Sequence, residues 1–96
     1  MTYFTIRAIK AANKERGHHF FEASTMRFFD SRILEGVING RYFVTSERFH
    51  GSNGYVADRR YTVRRAKDDG EINTEGEFQA YRTAGQARKA AKRLDY

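Results

Sequence analysis

The dipeptide Asn39-Gly40 is the feature that most limits how this chain can fold. It separates two runs of strand-like residues, and an Asn-Gly pair in that position favours a type I′ turn, whose two central residues need positive φ. We therefore predict a β-hairpin closed at this turn. Its predicted register places three pairs of residues opposite each other: Arg32 and Glu47, Leu34 and Thr45, and Val37 and Tyr42. The pair of Arg32 and Glu47 would form a cross-strand ion pair.

Two further strands complete the predicted sheet. One spans residues 59–67 and the other residues 71–81, with Asp68-Asp69-Gly70 as the turn between them. A glycine-containing loop over residues 50–58 connects the hairpin to the first of these strands. The sequence thus predicts an antiparallel four-stranded meander.

Two helices are predicted before the sheet. Thr5 can cap a helix over residues 5–16, and Gly17 follows at the position where a helix often ends. Ser24 can cap a shorter helix over residues 24–29.

The predicted C-terminal helix has two chemically different sides. Thr83 and Gln86 form a capping box at its start. Small and apolar residues repeat at helical spacing along one side, and the cations fall on the opposite side at about 100° per residue. The first set is Ala87, Ala90, Ala91 and Leu94, and the second is Arg88, Lys89, Lys92 and Arg93.

These elements together predict one domain over residues 1–96 with an α+β fold. It consists of N-terminal helices, a four-stranded antiparallel β-meander and a C-terminal helix packed on the sheet. We expect the helices to cover one face of that sheet.

Composition narrows the class of protein. The chain has 96 residues, no cysteine and a formal net charge of +6. The lack of cysteine excludes a disulfide framework, thiolate zinc sites and cysteine nucleophiles. The apolar runs are far shorter than the roughly 18 residues that span a bilayer, and the first residues do not form a signal peptide. We therefore expect a cytoplasmic protein, inside a host cell, with no membrane partner.

No group of residues in the sequence predicts catalysis, so we expect no catalytic residue, no cofactor and no metal. Glu22 follows His18 by four residues, but a catalytic zinc ion needs three convergent protein ligands. His19 cannot supply the third, because adjacent residues of an extended segment point to opposite sides. The remaining histidine is His50. The glycine-rich residues 51–54 lack the lysine and the following helix of a phosphate-binding loop.

Aromatic residues lie beside cations at several places, among them Arg60-Tyr61 and Tyr81-Arg82. Proteins that bind single-stranded nucleic acids stack bases on such rings and neutralise phosphates with such cations. The other interpretation, which we favour, is that the rings fill the core, because the chain has no tryptophan and few leucines. The rings predicted to do so are Phe20, Phe28, Phe43, Phe78, Tyr42 and Tyr61.

Four segments carry a resemblance to known proteins. They are residues 25–32, 40–47 and 60–64, and residues 76–81 with the alanine-rich basic helix that follows. Over residues 6–94 the chain resembles a family of small uncharacterised phage accessory proteins. The resemblance implies a phage product that acts by binding, either inhibiting a host defence, as an anti-CRISPR protein does, or redirecting a host machine.

The leading hypothesis is therefore a non-catalytic phage or mobile-element binding protein that inhibits a host protein or ribonucleoprotein complex. The alternative is a basic nucleic-acid-binding domain. A second alternative is a RelE-like ribosome-dependent ribonuclease, a family of similar size, basicity and order of elements. The residues predicted to contact the partner are cations of the last helix and the third strand: Arg88, Lys89, Lys92, Arg93, Arg59, Arg60 and Arg64.

Overall fold

Four antiparallel strands form one sheet, in which neighbours in the chain are also neighbours in space. The computed structural model describes residues 2–27, 30–34, 36–49, 54 and 56–94. Its helices are α1 (Ile6–Glu15), α2 (Ala23–Arg27) and α3 (Ala84–Lys92), and its strands are β1 (Arg32–Ile33), β2 (Tyr42–Glu47), β3 (Arg60–Ala66) and β4 (Ile72–Glu75). The predicted α+β fold is confirmed, including the packing of the C-terminal helix on β2 and β3. Within the described ranges, no helix is both long enough and apolar enough to cross a bilayer.

Helices lie on both faces of the sheet. Successive side chains of a strand point to opposite faces, and all six residues of β2 are buried, so both faces must be covered. Val44 packs with α3, whereas Phe43 packs with α1. The buried apolar residues of the α3 face are Tyr42, Val44, Val63, Ala87 and Ala91, and those of the α1 face are Tyr3, Ile9, Phe43 and Ala66. The prediction that helices cover one face is therefore wrong.

Helix α1 begins where the sequence predicts and ends one residue earlier. The Thr5 hydroxyl accepts a hydrogen bond from the amide of Ala8 at 3.1 Å, which satisfies one of the unpaired N-terminal amides. Gly17 follows the helix with a φ of 80°. Ile9 and Asn13, four residues apart, are buried on the same side of the helix.

The hairpin turn forms at the predicted dipeptide, but the predicted register is wrong. Asn39 and Gly40 have φ values of 53° and 70°, as a type I′ turn requires. Ile38, rather than Val37, pairs with Tyr42. Farther from the turn, the pairs are Arg32 with Ser46 and Ile33 with Thr45, so Arg32 does not face Glu47. Two features cause the shift. Three residues, 39–41, separate the paired Ile38 and Tyr42, and the ladder between β1 and the turn has a bulge that contains Gly36, whose φ is 102°.

Two other predicted elements have different bounds. Strand β4 ends at Glu75 because Gly76, with a φ of 78°, turns the chain away from β3, although Tyr81 returns to pair with Tyr61. Helix α2 begins before Ser24, so that residue lies inside the helix and does not cap it. The predicted end of this helix at residues 28–29 lies outside the described residues, as does most of the predicted loop over 50–58.

The predicted aromatic core is confirmed in part. Tyr42 and Phe43 are buried, and Phe20 and Tyr61 are half-buried. Phe78 is 40% exposed, so it lies at the surface, and Phe28 is outside the described residues. Tyr3, which the pattern does not single out, is buried, and its hydroxyl donates to the carbonyl of Lys67 at 2.7 Å.

Candidate partner-binding surface

The start of α3 is fixed by side-chain capping, close to the predicted arrangement. The Thr83 hydroxyl accepts a hydrogen bond from the Gln86 amide at 3.1 Å. The Gln86 side chain accepts in return from the amide of Arg82 at 3.3 Å, one residue before the amide that a capping box uses. The helix therefore begins at a defined residue, which fixes the side that it turns to the sheet.

The two sides of α3 differ in exposure as the periodicity predicts. Ala87 and Ala91 are fully buried against Tyr42, Val44 and Val63. The four cations Arg88, Lys89, Lys92 and Arg93 are all exposed, and we call them the α3 basic surface. Because alanine has no atoms beyond Cβ, the helix lies close to the sheet while its long cationic side chains extend into solvent.

A surface depression of about 310 Å³ adjoins the α3 basic surface. Its lining residues are Tyr81, Gln86, Lys89, Ala90 and Arg93. Tyr81 is held there by two backbone hydrogen bonds with Tyr61, of 2.8 and 3.1 Å. The depression therefore combines an aromatic ring with two cations and one amide side chain.

Further cations continue this basic region beyond Tyr81. Arg60 and Arg82 line a neighbouring depression of about 380 Å³, together with Asp58 and Arg59. Both Arg60 and Arg82 are exposed. The predicted residue Arg60 therefore lies at the surface, as the α3 cations do.

Arg59 has a different position, because its guanidinium binds groups of the same chain. It donates to the Asp30 carboxylate and to the Ser46 hydroxyl, each at 2.8 Å, and to the Asp30 carbonyl at 2.9 Å. Arg48 donates to the same carboxylate at 2.8 Å. Arg59 thus connects the start of β3 to the end of β2 and to Asp30, two residues before β1.

Arg64 is also bound within the fold, on the α1 face. Its guanidinium donates to the carboxylate of Glu47 at 3.1 Å and to the hydroxyls of Thr45 and Thr74 at 3.0 and 2.6 Å. It also lies over the rings of Phe20 and Phe78, 5.2 and 5.4 Å from their centroids. Hydrogen bonds and ring contacts thus surround the guanidinium of Arg64 on several sides.

Glu47, the partner of Arg64, is completely buried. Its carboxylate also accepts from the hydroxyls of Thr62, at 2.7 Å, and Thr45. We call Glu47, Arg64, Thr45 and Thr62 the buried polar network. The sequence predicts Arg64 as a partner-binding residue, and the fold places it in this network instead of on the basic region around α3.

The two described histidines point to different neighbours. His19 lies 2.8 Å from a carboxylate oxygen of Glu22, on the surface. His18 faces the turn between β3 and β4, with its Nε2 atom 3.8 Å from Asp69 Oδ2. The hydrogen bond from the Glu71 amide to Asp69, and to a lesser degree the nearby His18, lowers the pKa of Asp69.

Sequence reasoning did not assign Tyr81, Arg82 and Gln86 to the binding surface. The pair Tyr81-Arg82 does appear among the alternating aromatic and cationic residues, and Gln86 appears as a capping residue. Their shared position follows from the bridge that joins Tyr61 of β3 to Tyr81. Tyr81 lies outside any regular strand, and the bridge has no sequence signal of its own.

Comparison with known proteins places the chain in a family without giving it a function. No curated protein and no solved structure matches it significantly. One family model, described as a family of unknown function and designated DUF7447, matches residues 5–92, which include every helix and strand described above. The chain therefore belongs to the DUF7447 family.

Proposed function

We propose that this chain is a non-catalytic binding protein that docks on an acidic surface of a protein partner through the α3 basic surface. The observation that carries the proposal is the separation of roles on α3. Its alanines hold the helix on the sheet, and its cations extend away from the core. A surface of several cations attracts an acidic partner over long distances and orients it before contact.

Three of the α3 cations, Lys89, Lys92 and Arg93, are available for such a partner. Among the described residues, no carboxylate lies within ion-pair distance of Lys89, Lys92 or Arg93. Arg59 and Arg64, in contrast, bind carboxylates of the same chain. We therefore assign binding to the α3 basic surface with Arg60 and Arg82, and structural roles to Arg59 and Arg64.

The mode of action proposed is inhibition by occupancy. A small inhibitor needs only a complementary surface with a few aromatic and arginine anchors. Tyr81, Arg82 and Arg93 supply such groups next to one another along the two depressions. Two parts of the hypothesis stay predictions: the inhibited partner is a host protein or ribonucleoprotein complex, and the chain is a phage accessory protein.

Nucleic-acid binding is the second candidate function, and one observation favours it. The ring of Tyr81 lines the same depression as Lys89 and Arg93, and proteins that bind single strands combine stacking rings with cations in this way. A protein partner and a nucleic acid differ in how they respond to nuclease and to salt.

The test is a pull-down from nuclease-treated host lysate with three versions of the protein. The first is the natural chain, and the second carries Arg88→Gln, Lys89→Gln and Arg93→Gln. The third is a matched control with Arg7→Gln, Lys14→Gln and Arg16→Gln, which removes the same charge from exposed positions of α1 and its end. We expect the natural chain and the control to retain one stable complex and the α3 variant to lose it.

Other outcomes contradict the proposal. Equal retention by the α3 variant and the natural chain would exclude this surface. Loss of the complex on nuclease treatment would favour nucleic acid, and its affinity should then fall by roughly 0.7–0.9 log units per phosphate contact for each tenfold rise in salt.

A further inference from the structure

A second cluster of side chains, apart from the basic surface, brings together three groups that ligate metals. His18 follows α1, and Asp69 and Glu71 belong to the turn between β3 and β4. One ligand atom from each residue lies within 4.8 Å of the other two. All three residues are half-buried, so their ligand atoms are accessible to an ion from solvent.

The two chain segments that supply these groups are held together by Asn13. Its buried side chain donates to the carbonyl of Gly70 at 2.8 Å, and its own carbonyl accepts from the amide of His18 at 3.0 Å. One buried residue thus positions the backbone of both halves of the cluster.

Gly70 allows the turn to approach α1 closely. Its φ is 84°, and a Cβ atom there would lie 2.6 Å from the carbonyl carbon and oxygen of Ala12. Any other residue would push the turn, with Asp69 and Glu71, away from His18. The spacing of the three ligand groups is therefore set by the backbone and not by side-chain rotation alone.

The donor set is one imidazole nitrogen and two carboxylate oxygens. Zinc accepts these ligands at about 2.0–2.2 Å, and an open zinc site has three protein ligands with water in the fourth position. In a tetrahedral site the donor atoms lie about 3.3 Å apart. The 3.8 Å between His18 Nε2 and Asp69 Oδ2 is close to that value, and all three donor atoms lie within 4.8 Å of one another, so side-chain rotations would bring them to a common ion.

The charges around the cluster are compatible with a cation. Asp68 is paired with Arg41 at 3.0 Å and does not take part. Lys67 Nζ lies 3.8 Å from the Glu71 carboxylate and competes for it, but this lysine is exposed and can move away.

We propose that His18, Asp69 and Glu71 bind a divalent transition-metal ion, with zinc as the best match to the donor set. The ion would join the end of α1 to the turn between β3 and β4. The sequence predicts no metal, because Glu22 is the carboxylate near His18 in the chain, whereas the fold supplies two others. This proposal is independent of the partner-binding function.

The experiment is a calorimetric titration of zinc into protein that carries no histidine tag, about one pH unit above the ordinary histidine pKa of 6.5. We expect one saturable site and a rise in Tm with zinc, since an ion that binds the folded state stabilises it. His18→Ala and Glu71→Gln should each weaken binding by more than about 100-fold, because even changes outside the ligand shell cost 10–100-fold.

Two variants make the test specific to this cluster. His19→Ala removes an exposed histidine of the same segment and should leave zinc affinity unchanged. Lys67→Gln removes the competing cation and should tighten binding. The proposal is overturned if no saturable binding occurs up to millimolar zinc, or if His18→Ala and Glu71→Gln both bind zinc as tightly as the natural chain.

Discussion

The α3 face of the sheet is apolar and packed with small residues, whereas the α1 face combines aromatic rings with a buried ion pair. On the α3 face, Ala87 and Ala91 lie against tyrosine and valine side chains. On the α1 face, the guanidinium of Arg64 is bonded to the buried Glu47 and lies over the ring of Phe20. The four cations of helix α3 therefore stay outside the core, whereas Arg64 on the α1 side is part of it.

This difference explains why the seven arginines and lysines predicted to bind a partner do not have one role. A cation on a helix whose other side is buried extends into solvent, because the helix can bury only one side. A cation whose side chain points into the covered part of a strand must instead find partners within the fold, since a buried unpaired charge is costly. Arg64 meets this requirement through Glu47 and two threonines.

The largest expected effect comes from breaking the buried pair on the α1 face. Glu47→Ala leaves Arg64 without its carboxylate in a site that is 11% exposed, and we expect a loss of about 3–5 kcal/mol of unfolding free energy. Urea denaturation measures it. The double variant Glu47→Leu with Arg64→Met should lose less than the single variant, because it leaves no unpaired charge. A single variant as stable as the natural chain would contradict the role given to this network.

A smaller effect is expected from overpacking the α3 face. Ala87 is fully buried, and Ala87→Leu should cost about 1–3 kcal/mol because the added atoms force the helix away from Val44 and Val63. Ala90, which is half-buried, is the matched control, and Ala90→Leu should cost less. Thermal unfolding compares the two, and equal Tm values for both variants would show that α3 is not closely packed at Ala87.

The two faces also differ in how far the sequence predicts them. Helix α3 follows from local signals, since Thr83, the alanine spacing and the cations all lie within one short segment. The buried polar network depends on which residues of β2 and β3 face one another, and these two strands are far enough apart in the chain that no local signal sets their register. Alternation predicts a strand but not which of its cations finds a buried carboxylate.

Positions far apart in the chain are the hardest to predict. The contact of Arg59 with Asp30 depends on a residue with a φ of 47°, and that of His18 with Asp69 depends on the close approach allowed by Gly70. Neither has a short-range pattern. The candidate site on α3 could thus be predicted in outline, and the structural roles of Arg59 and Arg64 could not.

The hairpin turn contacts both faces, so a change there tests how they are joined. The Asn39 side chain donates to the carbonyl of Leu94, beyond the end of α3, at 3.1 Å, and the Gly40 carbonyl accepts from the amide of Tyr3 on the α1 face at 2.6 Å. Gly40→Val should cost roughly 1–2 kcal/mol, because a residue with a Cβ atom disfavours positive φ. Gly40→Asn, which tolerates that conformation better, should cost less. If the valine variant unfolds at the same urea concentration as the natural chain, the turn does not depend on this conformation.

The smallest effect on stability is expected where the effect on function is largest. The variant with Arg88→Gln, Lys89→Gln and Arg93→Gln changes exposed positions only, and exposed substitutions usually alter stability within about ±0.5 kcal/mol each. The same changes should slow association with an acidic partner and flatten its salt dependence, because charges at the edge of an interface act mainly on the association rate constant. Stopped-flow or surface-binding kinetics at several salt concentrations measure the association rate and its salt dependence once the partner is identified. A variant that folds normally and binds with the same association rate constant and the same salt slope would exclude α3. The cations to test next would then be Arg60, at the start of β3, and Arg82, just before α3.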